Sequence, residues 1–182
     1  MKKMRLLSSF IGLLIALILF TGCGKKSVED KLYGIWEISA LLSNADIKKF
    51  SKESMPDGLE IEIAIKGMLT YHRGGKYNSN STMTMRIKTV EGEIALKVLA
   101  IDAGEWSLHN DGKELVATSI DGTITPLDEL TENILAQSPA LGALMKPVKG
   151  LTSTSQILSI SDKLMEVQEK GTNITFIASK KH

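Results

Sequence analysis

Cysteine is nearly missing from this chain: Cys23 is the only one in 182 residues, and histidine occurs three times. A single thiol excludes an intramolecular disulfide and any cysteine-built metal site. His72, His109 and His182 stand at no metal-ligand spacing with one another or with a carboxylate, and His109 falls beside the turn-forming run Asn110-Asp111-Gly112. An excess of one charge is also lacking. The formal net charge is +1, and setting aside Lys2, Lys3 and Arg5 leaves 19 cations against 21 carboxylates. Such a surface has no electrostatic footprint for nucleic acid. No Gly-x-Ser-x-Gly elbow, P-loop or dinucleotide fingerprint occurs. With no nucleophile, base and orienter to assemble, the reading is a protein that is not an enzyme and uses no cofactor and no metal.

What is present begins at the N-terminus. Lys2, Lys3 and Arg5 precede an apolar run of 15 residues, Leu6 to Phe20, broken only by Ser8, Ser9 and Gly12. A cationic head and a run of this length have the dimensions of a secretory signal. The run is short for a membrane span, which needs about 20 residues. It ends in Phe20-Thr21-Gly22-Cys23, which resembles the lipobox of bacterial lipoproteins, with Phe20 where leucine is usual. The resemblance implies a signal peptide over 1–22, acylation of Cys23 and a membrane partner reached through that lipid. Gly24 stands where aspartate would favour the inner membrane, so the resemblance implies the periplasmic face of the outer membrane. Residues 23–31 then read as the lipidated cysteine and a short polar linker, with an extended reach of some 25 Å. The 32–182 remainder is one domain's worth of chain.

Alternation with period two dominates that remainder. Trp36, Ile38, Ala40 and Leu42 share one face, and Leu59 to Ile65 alternates cleanly. Met68 to Arg73 runs into Gly74-Gly75, a hairpin signal because both residues tolerate positive φ. Lys76 to Thr89 puts Met83, Met85 and Ile87 on one side. Ile94 to Ala103, Glu105 to His109 and Glu114 to Ser119 follow, with a turn expected at Asp121-Gly122. Gln156 to Ser161, Leu164 to Glu169 and Asn173 to Ser179 close the chain. Nine or ten short strands joined by tight turns predict an all-β antiparallel up-and-down meander, and closure into a barrel would remove its edges. Asp46 to Ser54 suggests a short surface helix. Asp128 to Met145 has helical spacing after Pro126, divided by Ser138-Pro139, and predicts a short helical insertion near 128–146.

Two Gly-x-Trp segments, Gly34-Ile35-Trp36 and Gly104-Glu105-Trp106, flank Gly74-Gly75-Lys76-Tyr77. Their order resembles that of small bacterial lipocalin-like (calycin-type) lipoproteins, in which a tryptophan closes the barrel floor. In that family an arginine near the last strand lies over this tryptophan as a cation–π partner. The last strand here has no arginine, and Lys180 is the nearest basic residue.

A barrel of about eight strands can hold one small ligand. The expected ligand-contacting set is Trp36, Met83, Met85, Ile87 and Trp106, since methionine adapts to irregular apolar surfaces. The alternative is that these side chains simply fill the barrel. Ser79, Ser81, Ser153, Ser155, Ser159 and Ser161 read as solvent-facing strand residues, and Glu60 with Glu62 as a solvated face. Function therefore divides between a binder of a small apolar or amphipathic ligand and a filled scaffold contacting an envelope protein partner. A solvent-accessible apolar cavity of at least about 300 Å³ would favour the first. An exposed apolar patch on the 128–146 insertion would favour the second.

Overall fold

The structure is a computed structural model that describes residues 26–50, 60–89, 92–138, 149–172 and 174–181. The leader, Cys23 and the second half of the expected insertion lie outside the described residues. Eight strands form one closed antiparallel barrel in chain order: β1 (Gly34–Leu42), β2 (Glu60–His72), β3 (Lys76–Thr89), β4 (Gly92–His109), β5 (Glu114–Pro126), β6 (Thr152–Ile160), β7 (Leu164–Glu169) and β8 (Thr175–Lys180). Closure is made by β1 against β8, with Trp36 opposite Lys180 and Ser39 opposite Ile177. Every described strand therefore has two neighbours, although β6 pairs with β5 only over Glu114–Thr118.

The strands are eight rather than nine or ten because two expected breaks are continuous strand. The described part of the 59–65 run merges with Met68–His72 in β2, and Ile94–Ala103 and Glu105–His109 merge in β4. The joining residues, Gly67 and Gly104, lie within these strands. A Cβ on Gly67 would come within 2.5 Å of Ser81 Cα, and one on Gly104 within 2.8 Å of the Tyr77 ring. Only a residue without a side chain lets neighbouring strands approach so closely where the wall curves. Asp121-Gly122, expected as a turn, is paired strand opposite Ala103 and Asp102, and a bulge beside it shifts the register. The two-glycine hairpin at Gly74-Gly75 forms as expected, with φ of 89° and 74°.

Among the described residues three helices accompany the barrel: α1 (Val28–Leu32), α2 (Asn44–Phe50) and α3 (Glu129–Gln137). α1 replaces part of the expected extended linker. Ser27 caps it by accepting from the Asp30 amide at 3.0 Å, and its last residue, Leu32, is fully buried. α3 is the first part of the expected insertion. Asp128 caps it through the Thr131 amide at 2.8 Å, and the Thr131 hydroxyl accepts the Lys97 amide of β4 at 2.9 Å. That bond holds Thr131 buried and ties the helix to the barrel.

Two hydrophobic clusters fill the interior. One joins Leu32, Trp36, Tyr71, Tyr77, Trp106, Leu115, Met165 and Ala178. The other joins Met85, Leu96 and Val98, with Met83, Ile87, Ile61 and Ile63 packed around them and Ile134 and Leu135 of α3 laid on top.

Candidate functional site

At the floor, the Gly-x-Trp motif has a physical reason. Gly34 takes φ +118°, and a Cβ there would touch Lys180 Cε at 3.0 Å. With that space clear, the Lys180 ammonium sits 4.9 Å from the Trp36 ring centroid and donates to the Lys31 carbonyl. Lys180 thus occupies the place in which the family resemblance implies an arginine. Burial lowers its pKa below the ordinary lysine value. Trp36 is 0% exposed and donates its indole N–H to Leu32 O at 2.7 Å.

Trp106 belongs to the same end. Its indole N–H donates to Lys76 O at 2.9 Å, and Tyr71 and Tyr33 meet its ring edge-on at 5.6 and 5.9 Å. Tyr77 lies in the same cluster, with its hydroxyl donating to Asp102 Oδ2 at 2.6 Å. Ser119 Oγ donates to the other carboxylate oxygen, also at 2.6 Å. Burial, then the bond to Asp102, raises the Tyr77 pKa, and burial alone raises that of Tyr71.

Met83, Met85 and Ile87 face inward as expected but belong to the second cluster. Trp36 pairs with Leu69, which pairs with Ser79, so the methionine group begins four residues further along β3 and ends eight further. At about 3.3 Å per residue this is roughly 13–26 Å. The five expected contact residues therefore form two groups, the tryptophans at the floor and the rest under α3.

Beside the floor cluster, with Tyr71, Leu115, Met165 and Ala178 in its wall, lies a partly enclosed cavity of about 220 Å³. β1 lines it with Ile38 and Ala40, β2 with Ile65, Leu69 and Tyr71, and β5 with Leu115 and Ala117. The short strands supply Ser153, Ser155, Met165, Val167, Phe176 and Ala178. The lining comes from β1, β2 and β5–β8, and none of the five expected residues is in it. Ser153 and Ser155 face this space, contrary to the solvent-facing reading. Ser79 and Ser81 share that inward face as the partners of Leu69 and Gly67, while Ser159 and Ser161 are exposed as expected. No charged side chain lines the cavity. Its volume is below the roughly 300 Å³ of a drug-sized site, yet above the roughly 150 Å³ of an apolar cavity able to take benzene. Chemically it can accept a small uncharged apolar group, with two serine hydroxyls on one wall.

The remaining candidates are accounted for locally. His72 Nε2 lies 2.6 Å from Asn78 Oδ1, and His109 Nε2 lies 2.9 Å from Ser107 Oγ. Glu60 and Glu62 sit opposite Lys88 and Arg86, with the second pair in contact at 2.7 Å along an outer polar groove. Among the described residues no three His, Cys, Asp or Glu side chains converge as a metal site. No family model matches the chain, and no curated protein matches it.

Proposed function

We propose that this chain is an exported lipoprotein, acylated on Cys23 and held at the periplasmic face of an outer membrane. Its lipocalin-like barrel binds a small, uncharged apolar or amphipathic ligand and performs no chemistry on it. The observation that carries this reading is the cavity of about 220 Å³ beside the floor cluster, walled by apolar side chains; it falls short of the roughly 300 Å³ expected of a drug-sized site and so fits a smaller occupant. A barrel built only as a scaffold needs no such space, because unfilled apolar volume costs stability. Native mass spectrometry of the protein released from its own envelope tests the reading. A stoichiometric small-molecule adduct is expected, and Ala117→Leu, which fills the cavity, should abolish it. No adduct on the wild type, or an adduct retained by the variant, would refute cavity binding.

A second reading rests on apolar exposure at and beside α3, where Leu127 is 49% and Leu130 is 55% exposed. These side chains would contact an envelope protein partner. A photo-crosslinking side chain at position 130 should then trap one reproducible protein. Unchanged migration of the monomer would dismiss the partner.

A further inference from the structure

We infer that the acylated barrel stands floor-down on its membrane, with the α3 end turned away from the lipid. This rests on the acylation of Cys23 proposed above. The chain between Cys23 and the barrel has almost no slack. Only Gly24 and Lys25 intervene before Lys26, whose ammonium is paired with Asp162 at 3.0 Å. From there α1 is fixed to the floor at several points. Leu32 is fully buried, its carbonyl accepts the Trp36 indole, and Val28 lies against the 110–113 turn, near enough for a Cβ on Gly112 to meet it at 3.2 Å. Three peptide steps span at most about 10 Å. The acyl chains must therefore enter the membrane beside the floor, whereas an extended 23–31 linker would have left the barrel free to tumble.

Charge supports the same orientation. The turns around the floor present Arg73, Lys76, Lys113 and Lys163, all exposed and none in an ion pair with a described residue. The acidic groups at this end are partly engaged: Asp162 by Lys26, Glu29 by the Tyr33 hydroxyl, Asp30 by Ser27, Glu114 by Lys170 and Glu37 by Lys181, while Asp111 is open and Glu105 lies exposed opposite Lys76. Asp128, Glu129 and Glu132 mark the start of α3 at the opposite end, where Arg86, Lys88 and Lys97 also stand. The four unpaired cations of the floor turns fit the anionic headgroups of a lipid surface. Any ligand entering from the α3 side would then arrive from the aqueous compartment and not from the anchoring leaflet.

The test uses the full-length acylated protein in vesicles of phosphatidylethanolamine and phosphatidylglycerol that carry an acceptor dye on the headgroups. Because the native thiol is acylated, one cysteine introduced by His72→Cys or by Asn133→Cys takes the donor dye alone. β3 has 14 residues, which at about 3.3 Å each and a tilt near 40° separate the two ends by about 35 Å. Energy transfer should be severalfold stronger from position 72 than from position 133. Inserting about ten Gly/Ser residues after Gly24, which adds up to about 34 Å of reach, should reduce the difference. Equal or reversed transfer in vesicles that float with the protein would overturn the orientation while leaving the anchor intact. Failure to float would remove the anchor, and the orientation with it.

Discussion

At the floor, Trp36 and Trp106 each donate an indole N–H to a backbone carbonyl, at 2.7 and 2.9 Å, and a lysine covers one of the two rings. At the α3 end, Met85, Leu96 and Val98 are just as buried but pack only through apolar atoms. The first end is held by direction as well as contact, because a hydrogen bond or an edge-on ring tolerates few alternatives. The second is held by contact alone, which tolerates other side chains of similar volume. One end is therefore suited to staying shut, and the other to adjusting its packing.

The largest effect that can break this comparison is Trp36→Ala. It should destabilise the fold by about 3–5 kcal/mol, read from the midpoint of chemical denaturation. A change as small as that of a surface substitution would remove the floor from the account. Next in size is the alkaline limb of the stability curve. Burial keeps the Tyr71 and Tyr77 phenols protonated above the ordinary tyrosine value of 10.0, while the unfolded chain releases those protons near it. Stability is therefore full below pH of about 10 and falls above it, by up to about 1.4 kcal/mol per pH unit for each group. Tyr71→Phe should flatten that limb in a pH series of denaturant melts, and an unchanged slope would assign it elsewhere. At the other end, Met85→Leu should cost less than about 1.5 kcal/mol. A cost matching that of Trp36→Ala would mean both ends are equally exacting. Smallest of all, Glu62→Gln on the outer groove should cost less than about 1 kcal/mol, since the Arg86 pair is solvated.

Much of the barrel was legible because alternation in Lys76–Thr89 and in the last three strands is a direct consequence of the pleat. The expected strand number exceeds eight because the alternating runs are split at Gly67 and at Gly104. Gly67, Gly104 and Gly122 lie within strands, and a glycine inside a strand has the same local signature as one in a turn. The inward orientation of Trp36, Met83 and Met85 was also readable, but their separation along the barrel was not. Period two states which face a side chain takes, and only the register between strands states its height. Lys180 is nameable from the sequence as the nearest basic residue, but its place over Trp36 follows from the β1–β8 pairing. The cavity wall, including Ser153 and Ser155, went unseen because small polar residues on a strand read equally well as facing water.

The most direct test of the cavity is a pair of thermal melts of the acylated protein in detergent, with and without a saturating small apolar probe such as benzene. Ligand at about 100 times its Kd adds roughly 2.7 kcal/mol to the folded state, which for a domain of this size raises Tm by several degrees. The wild type should show that rise and Ala117→Leu should not. Equal shifts in the two proteins, or none in the wild type, would contradict a ligand-accepting interior.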